Sequence, residues 1–171
     1  FDTPIIDILP ELPTSTYAVR IGHLIQHSSG LLDYEAYIPS NQLDQVSDSD
    51  VLTILSQQDS VYFQAGSEFR YSNTGYCLLA LIVERVSGQS FSIFCKERIF
   101  DLLGLGNSII YKPSDSIVER AYGYHPNGGD YIFADQSLTS ATQGDGGVYM
   151  SISSYNIWAN TAQPLFDEQY L

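Results

Sequence analysis

The densest apolar stretch of the chain runs from Thr74 to Ser87, through Tyr76, Cys77, Leu78, Leu79, Ala80, Leu81, Ile82, Val83 and Val86. Its few polar positions, Glu84, Arg85 and Ser87, sit at the far end. A helix that is apolar all round offers no face to water, so the pattern predicts a buried central helix ended by Gly88. Shorter helical patterns surround it. Tyr17–His27 spaces Val19, Ile21, Leu24 and Ile25 as a helix does and stops at Ser28-Ser29-Gly30, where Gly30 can take a left-handed turn. Asp48–Gln57 carries Val51, Leu52, Ile54 and Leu55 behind Ser47 or Ser49 as N-cap. Ser90 is expected to cap a further helix with Phe91, Phe94, Ile99 and Phe100 on its inner side. A last helix is predicted over Ser153–Ala162, before Pro164.

Elsewhere the pattern is irregular. Pro4, Pro10 and Pro13 punctuate Phe1–Pro13 and predict an extended surface segment, since proline breaks a helix interior. Leu31–Ser47 reads as a polar and aromatic connection, and Ala65-Gly66-Ser67 as a turn. Tyr122, Tyr124, Tyr131 and Phe133 flank Asn127-Gly128-Gly129, which predicts a β-hairpin or an irregular aromatic loop. Gly144–Gly147 is expected to be flexible. The fold class is therefore mostly α with a small β portion, in a single unit over 1–171, without internal repeats or low-complexity segments.

The 171 residues, 44 % apolar, suffice for one domain or one lobe of a larger one. A globular chain of this size buries about 70 % of its unfolded surface. Seven basic against 20 acidic residues leave a net charge of −13, which argues against nucleic acid and anionic lipid as partners. No run of about 18 apolar residues occurs that could span a membrane. No signal peptide is visible and the chain opens at Phe1, as expected of a processed or shortened form of a longer parent. Cys77 and Cys95 lie in apolar segments and are expected to be buried free thiols.

Several chemistries fail on the residues. His23 and His27 are four apart on a predicted helix, but Leu24 stands where a zinc protease needs its glutamate, and no third ligand is in register. Packed or capping histidines are expected instead, with no metal. Gly88-Gln89-Ser90 begins a nucleophile elbow, but Ser92 replaces the closing glycine. Asp48-Ser49-Asp50 caps its helix rather than opening a calcium loop. Tyr71-Ser72-Asn73 is different, because it leads directly into the buried helix and would be held rigidly. A tyrosine there can exchange a proton if a cation lowers its pKa, and the asparagine amide can both donate to and accept from a substrate. Tyr71 as a rim aromatic and Asn73 as an N-cap remain the competing readings of the tripeptide alone.

The flanking residues carry a family resemblance. Ile21-Gly22-His23-Leu24-Ile25-Gln26-His27-Ser28-Ser29-Gly30-Leu31 resembles the "I-R-H-L-L-T-H-T-S-G-L" segment of the serine β-lactamase/penicillin-binding family, in the branch with class C β-lactamases, D-Ala-D-Ala carboxypeptidases and related esterases. Gly66–Tyr76 is similar to its "P-G-x-x-F-x-Y-S-N-x-G-Y", Ile99–Leu105 to "I-F-x-P-L-G-M", and Gly146–Ser151 to "G-G-L-x-S-T". Ala65 and Leu102 stand where proline is usual, and Leu105 where methionine is usual. The order and spacing hold from about residue 5 to 160. This resemblance implies the helical lobe of an α/β β-lactamase/transpeptidase-like fold.

It also implies an acyl-transfer hydrolase acting on a β-lactam, a D-Ala-D-Ala or other peptidoglycan peptide, or a related ester or amide. Tyr71 would be the general base of acylation and proton donor to the leaving group. Asn73 would bind the substrate's side-chain amide, and Gly146 and Gly147 would line the cleft. No cofactor or metal is implied. The resemblance places the parent protein in the periplasm or otherwise outside the cytoplasm. The nucleophile motif S-x-x-K is absent, because Lys96 is preceded three residues earlier by Ile93 and Lys112 by Ile109. K-T-G or H-x-G is absent too. The expectation is an internal fragment, inactive by itself, whose missing motifs lie before Phe1 and after the last helix. A non-catalytic binding or scaffold module derived from the same family is the alternative, and the coding sequence upstream of Phe1 separates the two.

Overall fold

A computed structural model describes residues 1–161. The apolar run folds as the central helix α3 (Asn73–Ser87). Ser72 caps it by accepting the Gly75 N–H at 3.1 Å, and Gly88 closes it in the left-handed conformation, φ 70°, donating to the Glu84 carbonyl. Thr74, Gly75, Cys77, Leu78, Ala80, Leu81 and Ile82 are buried, while the last turn surfaces at Val86. Helices α1 (Ile21–Ile25) and α2 (Asp48–Ser56) pack on α3. Ser47 is the α2 cap, in a reciprocal capping box with Asp50.

The N-terminal segment corrects the expectation of an extended surface segment. Ile5 and Leu9 are fully buried and Leu12 nearly so, and all three belong to the core around α3. Pro4 and Pro13 each precede a single 3-10 turn, Ile5–Asp7 and Thr14–Thr16, rather than forbidding one. Proline suits the start of a helical turn, where its missing N–H has no partner to lose. The 5, 9, 12 spacing then sets one apolar stripe inward. Leu31–Ser47, read as a polar and aromatic connection, also contributes buried residues: Leu31, Leu32, Tyr34 and Val46.

The helix predicted over Tyr17–His27 shrinks to α1. Its first half is committed to the N-terminal segment: the Ile5 N–H bonds to the Val19 carbonyl, and Pro4 and Arg20 form an antiparallel bridge. His27, at φ 54°, ends it.

A second, separate apolar cluster joins Cys95, Phe100, Leu105 and Ile110 with Met150, Ile157 and Trp158 against it. Helix α4 (Phe91–Cys95), capped by Ser90 as predicted, runs into a wide π turn over Lys96–Phe100, in which the Asp101 N–H reaches the Lys96 carbonyl. Strand β1 (Ser108–Ile110) pairs antiparallel with β4 (Val148–Met150), with Ile109 opposite Tyr149. Between them β2 (Tyr124–Asn127) and β3 (Asp130–Phe133) form the aromatic hairpin, turned by Gly128 and Gly129 at positive φ. Helix α5 (Ile152–Thr161) follows β4 at once; Ala162 and Pro164 lie outside the described residues. Among the described residues the fold is mostly helical with two two-stranded sheets. Both cysteines are buried and free. Among the described residues no single helix is long and apolar enough to cross a membrane.

Candidate active site

The approach to α3 is organised by His27. Its Nδ1 accepts the Ser72 N–H at 3.1 Å, and its carbonyl accepts the Arg70 N–H at 2.8 Å. Its ring lies 4.6 Å from the Tyr71 ring and 4.9 Å from that of Tyr76, with Phe69 edge-on at 5.9 Å. Tyr76 in turn donates its hydroxyl to the Ile25 carbonyl. A histidine four residues from another thus serves as a packing and hydrogen-bonding post for the Tyr71–Asn73 loop. His23 has a parallel role, accepting the Arg20 N–H at the start of α1.

Of the tripeptide, Ser72 is buried and is the cap, which removes Asn73 from that role. Asn73 occupies the first helical position, half-exposed, and donates its amide to Glu35 Oε1 at 2.8 Å. Tyr71 projects outward, 63 % exposed. Asp33 holds the neighbouring Arg70 in an ion pair, with the guanidinium over the Tyr62 ring.

The other wall comes from far along the chain. Asp48, on the first turn of α2, is buried, and its two oxygens accept the N–H groups of Gln143 (2.9 Å) and Gly144 (3.1 Å). Gly144 lies so close to the backbone of Tyr76 and Cys77 that a Cβ there would collide with both. Gly147 turns at φ 70°. The glycine segment expected to be flexible is therefore tethered at its start. Tyr34, fully buried, donates its hydroxyl to Asp145 Oδ2 at 3.3 Å and touches Thr142 Oγ1.

Burial dominates the electrostatics beneath this wall. It pushes the Asp48 carboxyl above its ordinary range, against the pull of the two backbone N–H bonds. It raises the Tyr34 phenol and the Cys77 thiol as well, reinforced by the charges of Asp145 and, at Cys77, Asp48.

Asn73, Thr142, Asp145, Gly146, Gly147 and Tyr149 line one open recess of about 260 Å3. Three of the four residues singled out from sequence thus share a cavity, and Tyr71 is not among those lining it. A larger cleft, about 770 Å3, opens between β1, β4 and residues 116–121 and shares only Tyr149 with the recess. Sequence reasoning missed Asp145, whose only mark is an acid set among glycines. It also missed Asp48 and Tyr34, read as a cap and as part of a polar connection.

A family model described as Beta-lactamase matches residues 1–170. The chain belongs to the Beta-lactamase family. Penicillin-binding protein 4* of Bacillus subtilis (strain 168) is 35 % identical to this family member over 122 residues, which are 68 % of the chain and 27 % of that protein. Teichoic acid D-alanine hydrolase of Staphylococcus aureus (strain MRSA252) is 26 % identical over 148 residues, 86 % of the chain and 36 % of that protein. Among solved structures, the penicillin binding protein from Bacillus halodurans superposes with a TM-score of 0.82 at 27 % identity, covering 99 % of this chain and 53 % of that one. This Beta-lactamase-family chain therefore spans about a quarter to a third of the curated relatives and about half of the solved one. The family is one of serine hydrolases, and its fold is the one these helices and small sheets match in part.

Proposed function

We propose that the chain forms the helical wall of an acyl-transfer site, in a serine hydrolase acting on β-lactams, D-Ala-D-Ala peptides or related D-alanyl esters and amides, outside the cytoplasm. The observation that carries the reading is the shared recess of Asn73 with Gly146 and Gly147, which are distant from it in sequence. Asn73 still has an amide hydrogen and its carbonyl oxygen beside the recess, which suits the amide of an acyl substrate. Tyr71, two residues before it on the same loop, takes the proton-transfer role with its exposed phenol. The relative whose name specifies teichoic acid D-alanine hydrolysis supports the ester end of this substrate range.

The chemistry also needs a Ser-x-x-Lys, and these 171 residues contain none. The chain alone is therefore expected to bind acyl compounds without turning them over. Titration of the isotopically labelled chain with benzylpenicillin and with a diacylated D-Ala-D-Ala peptide should shift the Asn73 side-chain amide and the Gly146 and Gly147 backbone amides in NMR spectra. No shift there, or shifts confined to other surfaces, overturns the assignment. Covalent labelling of a serine in this chain by a fluorescent penicillin overturns the inactivity.

A further inference from the structure

The polar groups around the recess are unequally used. Thr142, 2 % exposed, directs its hydroxyl proton at the Thr139 carbonyl, 2.7 Å away, leaving its oxygen to accept. Asn73 directs one amide hydrogen at Glu35 and presents an uncommitted carbonyl oxygen. Asp145 can only accept when ionised, and the hydroxyl of buried Tyr34 occupies one of its oxygens at 3.3 Å. No lysine or arginine is among the residues lining the recess. Besides donors such as the second Asn73 amide hydrogen, its walls thus offer acceptors, one of them a carboxylate held in place from behind.

We propose that Asp145, with the Asn73 carbonyl oxygen and Thr142 Oγ1, forms an ammonium-recognition subsite that selects acyl substrates carrying a free protonated amine. An ammonium brings three donors for these acceptors and the positive charge that the lining side chains lack. Asp145 forms no ion pair among the described residues that would already neutralise it. The net charge of −13 adds a long-range pull on cations. The position beside Asn73 sets the amine next to the group that holds the substrate amide, as in a D-amino-acyl ester or amide whose amine is unblocked. A blocked amine leaves the carboxylate desolvated without a charged partner, which is a basis for rejecting it. The inference rests on the reading of Asn73 as a substrate contact.

The test is a titration of the labelled chain at pH 6.5 and low salt with D-alanine amide, whose amine is then protonated, and with N-acetyl-D-alanine amide, whose nitrogen is neutral. Binding is read at the backbone amides of Asp145 to Gly147 and at the Asn73 side chain. D-alanine amide should bind about fivefold tighter, the range of one partly solvated ion pair. The preference should contract in high salt and fall to about one in Asp145→Asn, which keeps the acceptor for Tyr34. Equal or tighter binding of the acetylated probe by the unaltered chain overturns the ammonium subsite and leaves the acyl-site reading standing. Silence of these resonances with both probes overturns the two together. A preference unchanged in Asp145→Asn overturns the assignment to that residue.

Discussion

Asp48 and Gly144, 96 positions apart, are joined by a part-buried hydrogen bond of 3.1 Å from the glycine N–H to the carboxylate. With the companion bond from Gln143, it ties α2 to the segment that carries Asp145, Gly146 and Gly147. Asp48→Ala leaves two N–H groups in poor surroundings and should cost about 2–3 kcal/mol, measured by urea unfolding. The Gly146 and Gly147 amides should lose protection from hydrogen exchange. Retained protection would mean that the tether is not what holds the recess wall.

The same carboxyl makes a prediction about pH. Burial raises it above its ordinary 3.8, so the folded chain holds this proton more tightly than the unfolded chain does. The Asp48 contribution to stability is therefore greatest below 3.8 and declines as pH rises through the folded-state value. Comparing unfolding free energies of the native chain and Asp48→Asn across acid to neutral pH, the native chain's advantage should shrink with rising pH. An advantage that grows with pH contradicts the sign. Glu11 works in the opposite sense: its hydrogen bond to Arg85 lowers its carboxyl, so its small contribution, at an exposed pair, fades as pH falls below 4.5.

His27 should position the Tyr71–Asn73 loop through two separable contacts, the Nδ1 acceptor and the ring. His27→Phe keeps a ring against Tyr71 and Tyr76 but loses the acceptor, whereas His27→Ala loses both. Loss of a part-buried acceptor is expected to destabilise by about 1–3 kcal/mol. Both variants should accelerate hydrogen exchange at the Ser72 amide, and only the alanine should also alter the Tyr76 ring environment.

Gly144→Ala should be among the least tolerated single changes, because the new methyl meets the backbone of Tyr76 and Cys77 rather than a side chain that can turn away. Overpacking of this kind costs about 1–3 kcal/mol. A Gly146→Ala control has open space around it and should unfold close to the native midpoint in the same denaturant series.

The thiols should be silent in the folded chain. Burial pushes Cys95 up to about 11 and Cys77 higher still, so little thiolate exists at neutral pH and neither sulfur is accessible. An aromatic disulfide reagent should label both only after denaturant is added, at the rate of unfolding. Rapid labelling of either in buffer contradicts the packing.

Much of this architecture was legible because it is local. The all-apolar run of α3, its Gly88 stop, the Ser47 and Ser90 caps and the Gly128-Gly129 hairpin follow from residues within a few positions of one another. The failures share a cause. Ile5, Leu9 and Tyr34 are buried by partners distant in sequence, which neither proline punctuation nor local polarity reveals. The site divided in the same way. Asn73 and the Gly146-Gly147 pair stood out through motif resemblance, while Asp145, Asp48 and Tyr34 acquire meaning only from bonds that span 95 or more positions.

The second apolar cluster has a bearing on how all these variants are observed. It contains Trp158, the single tryptophan of the chain, whereas α3, α2 and the His27 post belong to or border the first cluster. Intrinsic tryptophan emission is therefore a reporter of α5 and its neighbours, and far-ultraviolet dichroism is weighted toward the long central helix. If the two clusters open at different denaturant concentrations, the two spectroscopic curves will not superimpose, and a variant at Asp48 or His27 will displace the dichroism curve more than the emission curve.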